Sequence, residues 1–149
     1  MSEEMLKLTV DKFTFLVLTG RFYSDAGVWV KLEGSRARLG LSDYVQQSSG
    51  DVVFANVKPL ETKVERGDEF ADIETVKVDV SVLSPVKGTI VEINPQLAEA
   101  SELINQHPYE AGWLAVIELA DWEADRVSLL DSKAYLALVK GQAEAETKK

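Results

Sequence analysis

Residues 64–94 constrain this chain more than any other stretch. They read as strand throughout and are punctuated by Gly67, Pro85 and Gly88. The alternation can be followed residue by residue. Val76, Val78, Val80 and Val82 share one parity, with Lys77, Asp79 and Ser81 on the other. Ile73 has the opposite parity from these valines, so the phase slips between Ile73 and Val76, as a tight turn or bulge makes it do. The pattern predicts a hairpin anchored to the core by Val76, Val78, Val80 and Val82. It places Lys77 at or beside the turn, pointing away from the apolar face. Pro85 and Gly88 are expected to fix the return path of the chain.

The flanking sequence supplies more strands. Phe13–Leu18 is rich in β-branched and aromatic residues and ends at Gly20; residues 28–32 and 37–41 form two further runs on either side of Gly34. Ser42 is an N-cap candidate for a short helix over 43–47 that Ser49 and Gly50 end. Residues 51–57, 89–93 and 113–119 read as strands, and 95–100 as a short helix after Asn94. The last third predicts two helices, 121–130 and 132–140, the second capped by Ser132. From Gly141 the sequence turns charged and is expected to fray. The reading is an α+β, mostly β sandwich with short helices and C-terminal helices, and no segment resembles an interdomain linker.

Composition narrows the function. A 149-residue chain that is 46% hydrophobic supports a sizeable core. A net charge of -9 disfavours nucleic-acid and anionic-lipid surfaces and suits transient docking on basic patches. There is no cysteine, hence no disulfide, thiolate metal site or cysteine nucleophile, which fits a reducing compartment. Met1-Ser2-Glu3-Glu4 has no basic n-region, and the apolar run near Phe13 is too short to span a membrane. A cytoplasmic protein is expected.

Catalytic apparatus is sparse. His107 is the single histidine and lies in the turn-like Asn105-Gln106-His107-Pro108, so it reads as a surface or structural residue. Asp68, Glu69, Asp72 and Glu74 lack EF-hand spacing and read as a solvated acidic face. The glycines form neither a P-loop nor a dinucleotide fingerprint. No nucleophile and base set emerges, and the chain is not expected to be an enzyme.

That leaves Lys77 in Glu74-Thr75-Val76-Lys77-Val78, followed by Ser84-Pro85-Val86-Lys87-Gly88. These two strings resemble the Glu-Ser-Val-Lys-Ala and Ser-Pro-Val-x-Gly motifs of the glycine cleavage H-protein family, a lipoyl/biotinyl attachment fold. Arg38-Leu39-Gly40-Leu41-Ser42-Asp43-Tyr44, Ser49-Gly50-Asp51-Val52-Val53 and the run from Leu103 through His107 to Leu114 resemble further family segments, in order, from about Val28 to Tyr135.

The resemblance implies a lipoyl/biotinyl-type hybrid β-sandwich (barrel-sandwich hybrid), with residues 1–141 as one carrier domain and 142–149 as a flexible charged tail. It implies covalent N6-lipoyl attachment at Lys77, a swinging arm and a monomeric, non-catalytic carrier. The implied partners are a lipoate–protein ligase or lipoyl transferase, with Glu74 on the surface it reads. Two departures bear on the pathway. The family carries His-Glu before the tryptophan matched by Trp29, and that histidine lies near the loaded arm; here Gly27 and Val28 stand there. The lead-in over residues 6–19 is also longer. Both features resemble the H-protein-like lipoate-binding proteins that serve a heterodisulfide-reductase-like complex in sulfur oxidation, the reading preferred at this level. The alternative is an aminomethyl carrier working with the glycine cleavage P, T and L proteins. An unmodified structural subunit stays open, and so does a biotin carrier, although Val76 and Val78 replace the methionines that flank a biotinyl lysine.

Overall fold

A computed structural model describes residues 3–147. Two sheets face each other across one apolar core. The larger is built, in spatial order, from β3 (Phe22–Tyr23), β4 (Val28–Glu33), β5 (Arg36–Leu41), β11 (Ala115–Leu119), β10 (Gly88–Ile93) and β7 (Lys63–Val64). The smaller joins β6 (Val52–Val57), β8 (Glu69–Thr75) and β9 (Asp79–Leu83). All pairings are antiparallel. Val28, Val30, Leu39, Ile90 and Ile117 of one sheet meet Phe70, Ile73 and Val82 of the other. The mostly-strand architecture with short helices agrees with the fold class read from the sequence.

The first half of β4, Val28-Trp29-Val30, is apolar and buried on both faces. Val28 and Val30 face the core between the sheets, whereas Trp29, one residue out of phase, enters a second cluster on the opposite face. That cluster is roofed by a separate hairpin, β1 (Met5–Val10) paired with β2 (Phe13–Leu18), and by α4 (Ser132–Thr147). Its interior is aromatic. Tyr23 and Tyr135 stack with centroids 4.5 Å apart, Arg21 packs its guanidinium 4.6 Å over Trp29, and Glu3 pairs with Arg21 at 2.8 Å.

The tyrosines make this cluster pH-sensitive. The Tyr109 hydroxyl donates to the Leu16 carbonyl, and the Tyr23 hydroxyl to that of Leu18. Burial pushes the Tyr109 phenol up to about 12 and raises those of Tyr23 and Tyr135 as well. A phenol whose pKa is raised by folding contributes fully below pH 10 and loses that contribution as pH climbs toward the folded value. Tyr109 alone should cost on the order of 3 kcal/mol between pH 10 and 12. Urea midpoints at pH 7, 9 and 11 should be level over the first two and drop at the third.

Three expectations are corrected. The frayed tail from Gly141 is helical to Thr147, because Ala143 is buried and the Tyr44 hydroxyl bonds Glu146; Lys148 and Lys149 lie outside the described residues, as do Met1 and Ser2. The helix expected over 121–130 is a single turn, α3 (Trp122–Asp125), followed by a 3₁₀ turn over Arg126–Ser128. The hairpin valines divide: Val82 is buried and Val80 partly so, but Val76 and Val78 are 73% and 47% exposed. Strand β9 begins only at Asp79, so the part of the valine alternation at Val76 and Val78 belongs to the turn. Ile73 takes the inward place opposite Val80, which is the origin of the phase slip. Among the described residues no helix is long and apolar enough to cross a membrane.

Candidate functional site

The β8–β9 hairpin ends in a tight turn that carries Lys77. Its last cross-strand pairs are Ile73 with Val80 and Glu74 with Asp79. Beyond them the Thr75 amide donates to the Val78 carbonyl at 2.9 Å. The Thr75 hydroxyl then organises the tip. It accepts from the amides of Lys77 (3.2 Å) and Val78 (2.9 Å), and its one proton is shared between the carbonyls of Ser49 (2.8 Å) and Val78 (2.7 Å). Thr75→Val should destabilise the chain by about 1–2 kcal/mol and speed hydrogen exchange at the Lys77 and Val78 amides, whereas Thr75→Ser should preserve both.

The tip rests on a shelf built from distant sequence. Ser42 caps α1 (Asp43–Ser49) by accepting from the Val45 amide, and Gly50 closes it. The Val76 amide donates to the Asp51 carbonyl at 3.0 Å. Asn105, on α2 (Leu103–Gln106), ties the shelf together: its Oδ1 accepts from the Val52 amide at 2.9 Å, and its Nδ2 donates to the Gly50 carbonyl and the Gln46 Oε1, both at 3.1 Å. Nothing in the local sequence of Asn105 announces this role, because its partners lie more than fifty residues earlier.

Lys77 itself is exposed. Its Nζ donates to the Ser48 carbonyl at 3.3 Å, at the negative end of α1, and among the described residues no salt bridge holds it. The other singled-out residues are not gathered around it. His107 is an exposed C-cap whose amide donates to Leu103 and whose carbonyl accepts from Glu110 and Gly112. Asp68 accepts from the Glu65 amide and Glu69 from Ser81, at the far end of the hairpin. Glu74 is half-buried on β8, opposite both Phe54 and Asp79. The Ser84-Pro85-Val86 segment is buried at that far end, and Gly88 admits the backbone of β11, since a Cβ there would run into the Glu118 carbonyl.

The family model for the glycine cleavage H-protein matches residues 21–142. The chain belongs to that family. The glycine cleavage system H protein 2 of Arabidopsis thaliana, a mitochondrial protein, is 39% identical over 83% of this chain and 78% of its own length. The glycine cleavage system H protein of Coprothermobacter proteolyticus is 42% identical over 78% of this chain and 88% of its own. A Mycobacterium marinum glycine cleavage system H protein shares the fold with a TM-score of 0.69 at 23% identity, covering 79% of this chain and 94% of that one. H-proteins are carriers with lipoate covalently bound to a lysine, not catalysts. The β1–β2 hairpin lies outside the family match, and so does the end of α4.

The departure before Trp29 has a structural cause. Gly27 adopts φ +87° and leads into β4; its carbonyl accepts from the Ser42 amide. A Cβ on Gly27 would press into Val45 Cγ2 and come within 2.8 Å of Tyr135 Oη. Tyr135 and Ser42, which share a 2.7 Å hydrogen bond, occupy the space a side chain at position 27 needs. Val28 points into the core and is buried.

Proposed function

We infer that Lys77 carries the lipoyl group and that this chain shuttles an intermediate between the enzymes of glycine cleavage. One observation carries the assignment: in an H-protein family member, Lys77 is an exposed lysine at the apex of a turn braced by Thr75. The residues fit the group. A single weak contact, to the Ser48 carbonyl, has to be released, and the aliphatic stem then extends into solvent. A lipoyl group held there would supply a dithiol/disulfide pair able to carry an intermediate on sulfur and to be cycled by partner thiols through thiol–disulfide exchange. The protein's part is positional. Thr75 and Asn105 hold the backbone still while the arm moves, which concentrates the dithiol at a docked enzyme. The absence of cysteine leaves no thiol on the carrier to compete for the cargo.

The described residues, 3–147, serve as one carrier unit with α4 as part of its body, and the partners are the P, T and L proteins. The relatives' names support this assignment over the sulfur-oxidation reading. That second reading retains one specific support, the closed position at Gly27 where the family holds a histidine near the arm. An intact-mass spectrum after incubation with a lipoate–protein ligase and lipoate should show one lipoyl adduct on Lys77. The loaded carrier should then sustain glycine-dependent CO₂ exchange with P protein. An adduct without exchange would favour the sulfur-oxidation partner, a heterodisulfide-reductase-like complex, and no adduct would refute the site.

A further inference from the structure

Asp43, at the start of α1, is buried, and among the described residues no cation pairs with it. Three N–H donors hold its carboxylate instead. Oδ2 accepts from the Leu16 amide of β2 at 2.9 Å and from Gln47 Nε2 at 2.8 Å, and Oδ1 accepts from Gln46 Nε2 at 2.8 Å. The two glutamines stand three and four residues after Asp43, the spacings at which helix side chains meet. A carboxylate accepts and does not donate, so it decides which way each neighbouring amide points. Gln46 turns its Nε2 to Asp43, which leaves its Oε1 for Asn105 Nδ2 at 3.1 Å. Asn105 Nδ2 also donates to the Gly50 carbonyl, so the Asn105 Oδ1 is left for the Val52 amide. The polarity set at Asp43 thus passes through Gln46 and Asn105 to residues 49–52. There the Ser49 and Asp51 carbonyls accept from the Thr75 hydroxyl and the Val76 amide of the lysine-bearing turn. On the other side Gln47 also donates to the Thr14 carbonyl at 2.9 Å, which ties the relay to the β1–β2 hairpin, outside the family match.

We propose that Asp43 is a positioning residue for Lys77. It acts through Gln46 and Asn105 to fix the shelf beneath the turn, and the β1–β2 hairpin serves the carrier by clamping this carboxylate in place. The functional half of the proposal rests on Lys77 being the lipoyl lysine. An enzyme that loads or uses the arm needs its root at a set place and direction, and a misplacement of about 1 Å costs on the order of a hundredfold in rate.

Donor–acceptor matching, more than charge or size, is what the relay requires, so the test moves the charge along it. Asp43→Asn puts an NH₂ where Oδ1 stands. Gln46 must then turn its oxygen toward position 43, and its own NH₂ meets the Asn105 NH₂. Gln46→Glu alone sets two carboxylates against each other. Together the two changes restore every match at unchanged net charge, because the carboxylate at position 46 accepts from the amide at position 43 and from Asn105 Nδ2.

In the full-length unmodified chain, each single variant should speed hydrogen exchange at the Val52 and Val76 amides at least about tenfold, and the double variant should return both to within about threefold of wild type. With a purified lipoate–protein ligase and lipoyl-adenylate, each single variant should lower kcat for lipoylation at least about fivefold with KM within about twofold, and the double variant should recover kcat. Val64→Ala, a cavity on β7 outside the relay, should lower Tm without moving Val76 exchange or kcat. Wild-type exchange and kcat in both single variants overturn the proposal. So does a double variant no better than the worse single one, since a role in packing alone gives no recovery. Where a single variant does not fold, a folded double variant with wild-type exchange supports the relay and an unfolded one overturns it. No adduct on Lys77 in wild type removes the lipoyl assignment and the functional half with it, while exchange at Val76 still decides the relay.

Discussion

Lys77→Arg is expected to abolish lipoyl attachment and every carrier activity while leaving the fold unchanged. The guanidinium keeps the positive charge and can reach the Ser48 carbonyl, so the one contact the side chain makes is replaceable. The position is exposed at a turn whose hydrogen bonds involve the backbone and Thr75, not the lysine side chain. Stability should therefore change by no more than about 0.5 kcal/mol. The nucleophile is another matter: guanidinium stays protonated and delocalised, and does not form the amide. Intact mass after ligase treatment should show no adduct, and glycine-dependent turnover in a reconstituted system should fall to background. An adduct on this variant would move the site to another lysine.

Gly27→His, which restores the residue the family pattern carries, should damage the protein rather than repair it. A non-glycine residue at φ +87° costs about 1–3 kcal/mol, and forcing its Cβ between Val45 and Tyr135 adds a similar amount for overpacking. The sum, about 2–5 kcal/mol, should lower Tm by roughly 5–20 °C for a domain of this size. Gly27→Ala should show most of that loss, since the clash begins at Cβ. Pairing Gly27→His with Tyr135→Ala relieves part of the overpacking but leaves the backbone strain, so calorimetry should show partial recovery only. Full stability in Gly27→His would mean that this segment repacks freely and that the missing histidine carries no structural meaning.

The hairpin, the caps on α1 and the phase slip were legible in the sequence because each depends on neighbours. Ser42 sits three residues before the amide it accepts from, and the slip between Ile73 and Val76 is a local change of parity. Parity does not reveal where a strand stops. Val76 and Val78 continue the valine alternation but lie past the last paired residues, so the inward direction assigned to them was wrong. β1 and the last turns of α4 were missed for a related reason. The interrupted apolar pattern of Met5–Val10 and the single Ala143 in a charged stretch gain their meaning only when hairpin and helix close over Tyr23, Trp29 and Tyr135.

The exposed lysine, its motif and its carrier family came from the order of residues, since reactive chemistry at Lys77 needs only the side chain and a tight turn to present it. The tertiary structure decided what that turn rests on. Asn105 reaches the shelf beneath it, Tyr135 closes the space at Gly27, and Asp43 ties α1 to β2 through the Leu16 amide. Each of these joins segments far apart in the chain, and such contacts are set by packing in three dimensions, not by the pattern of any one segment.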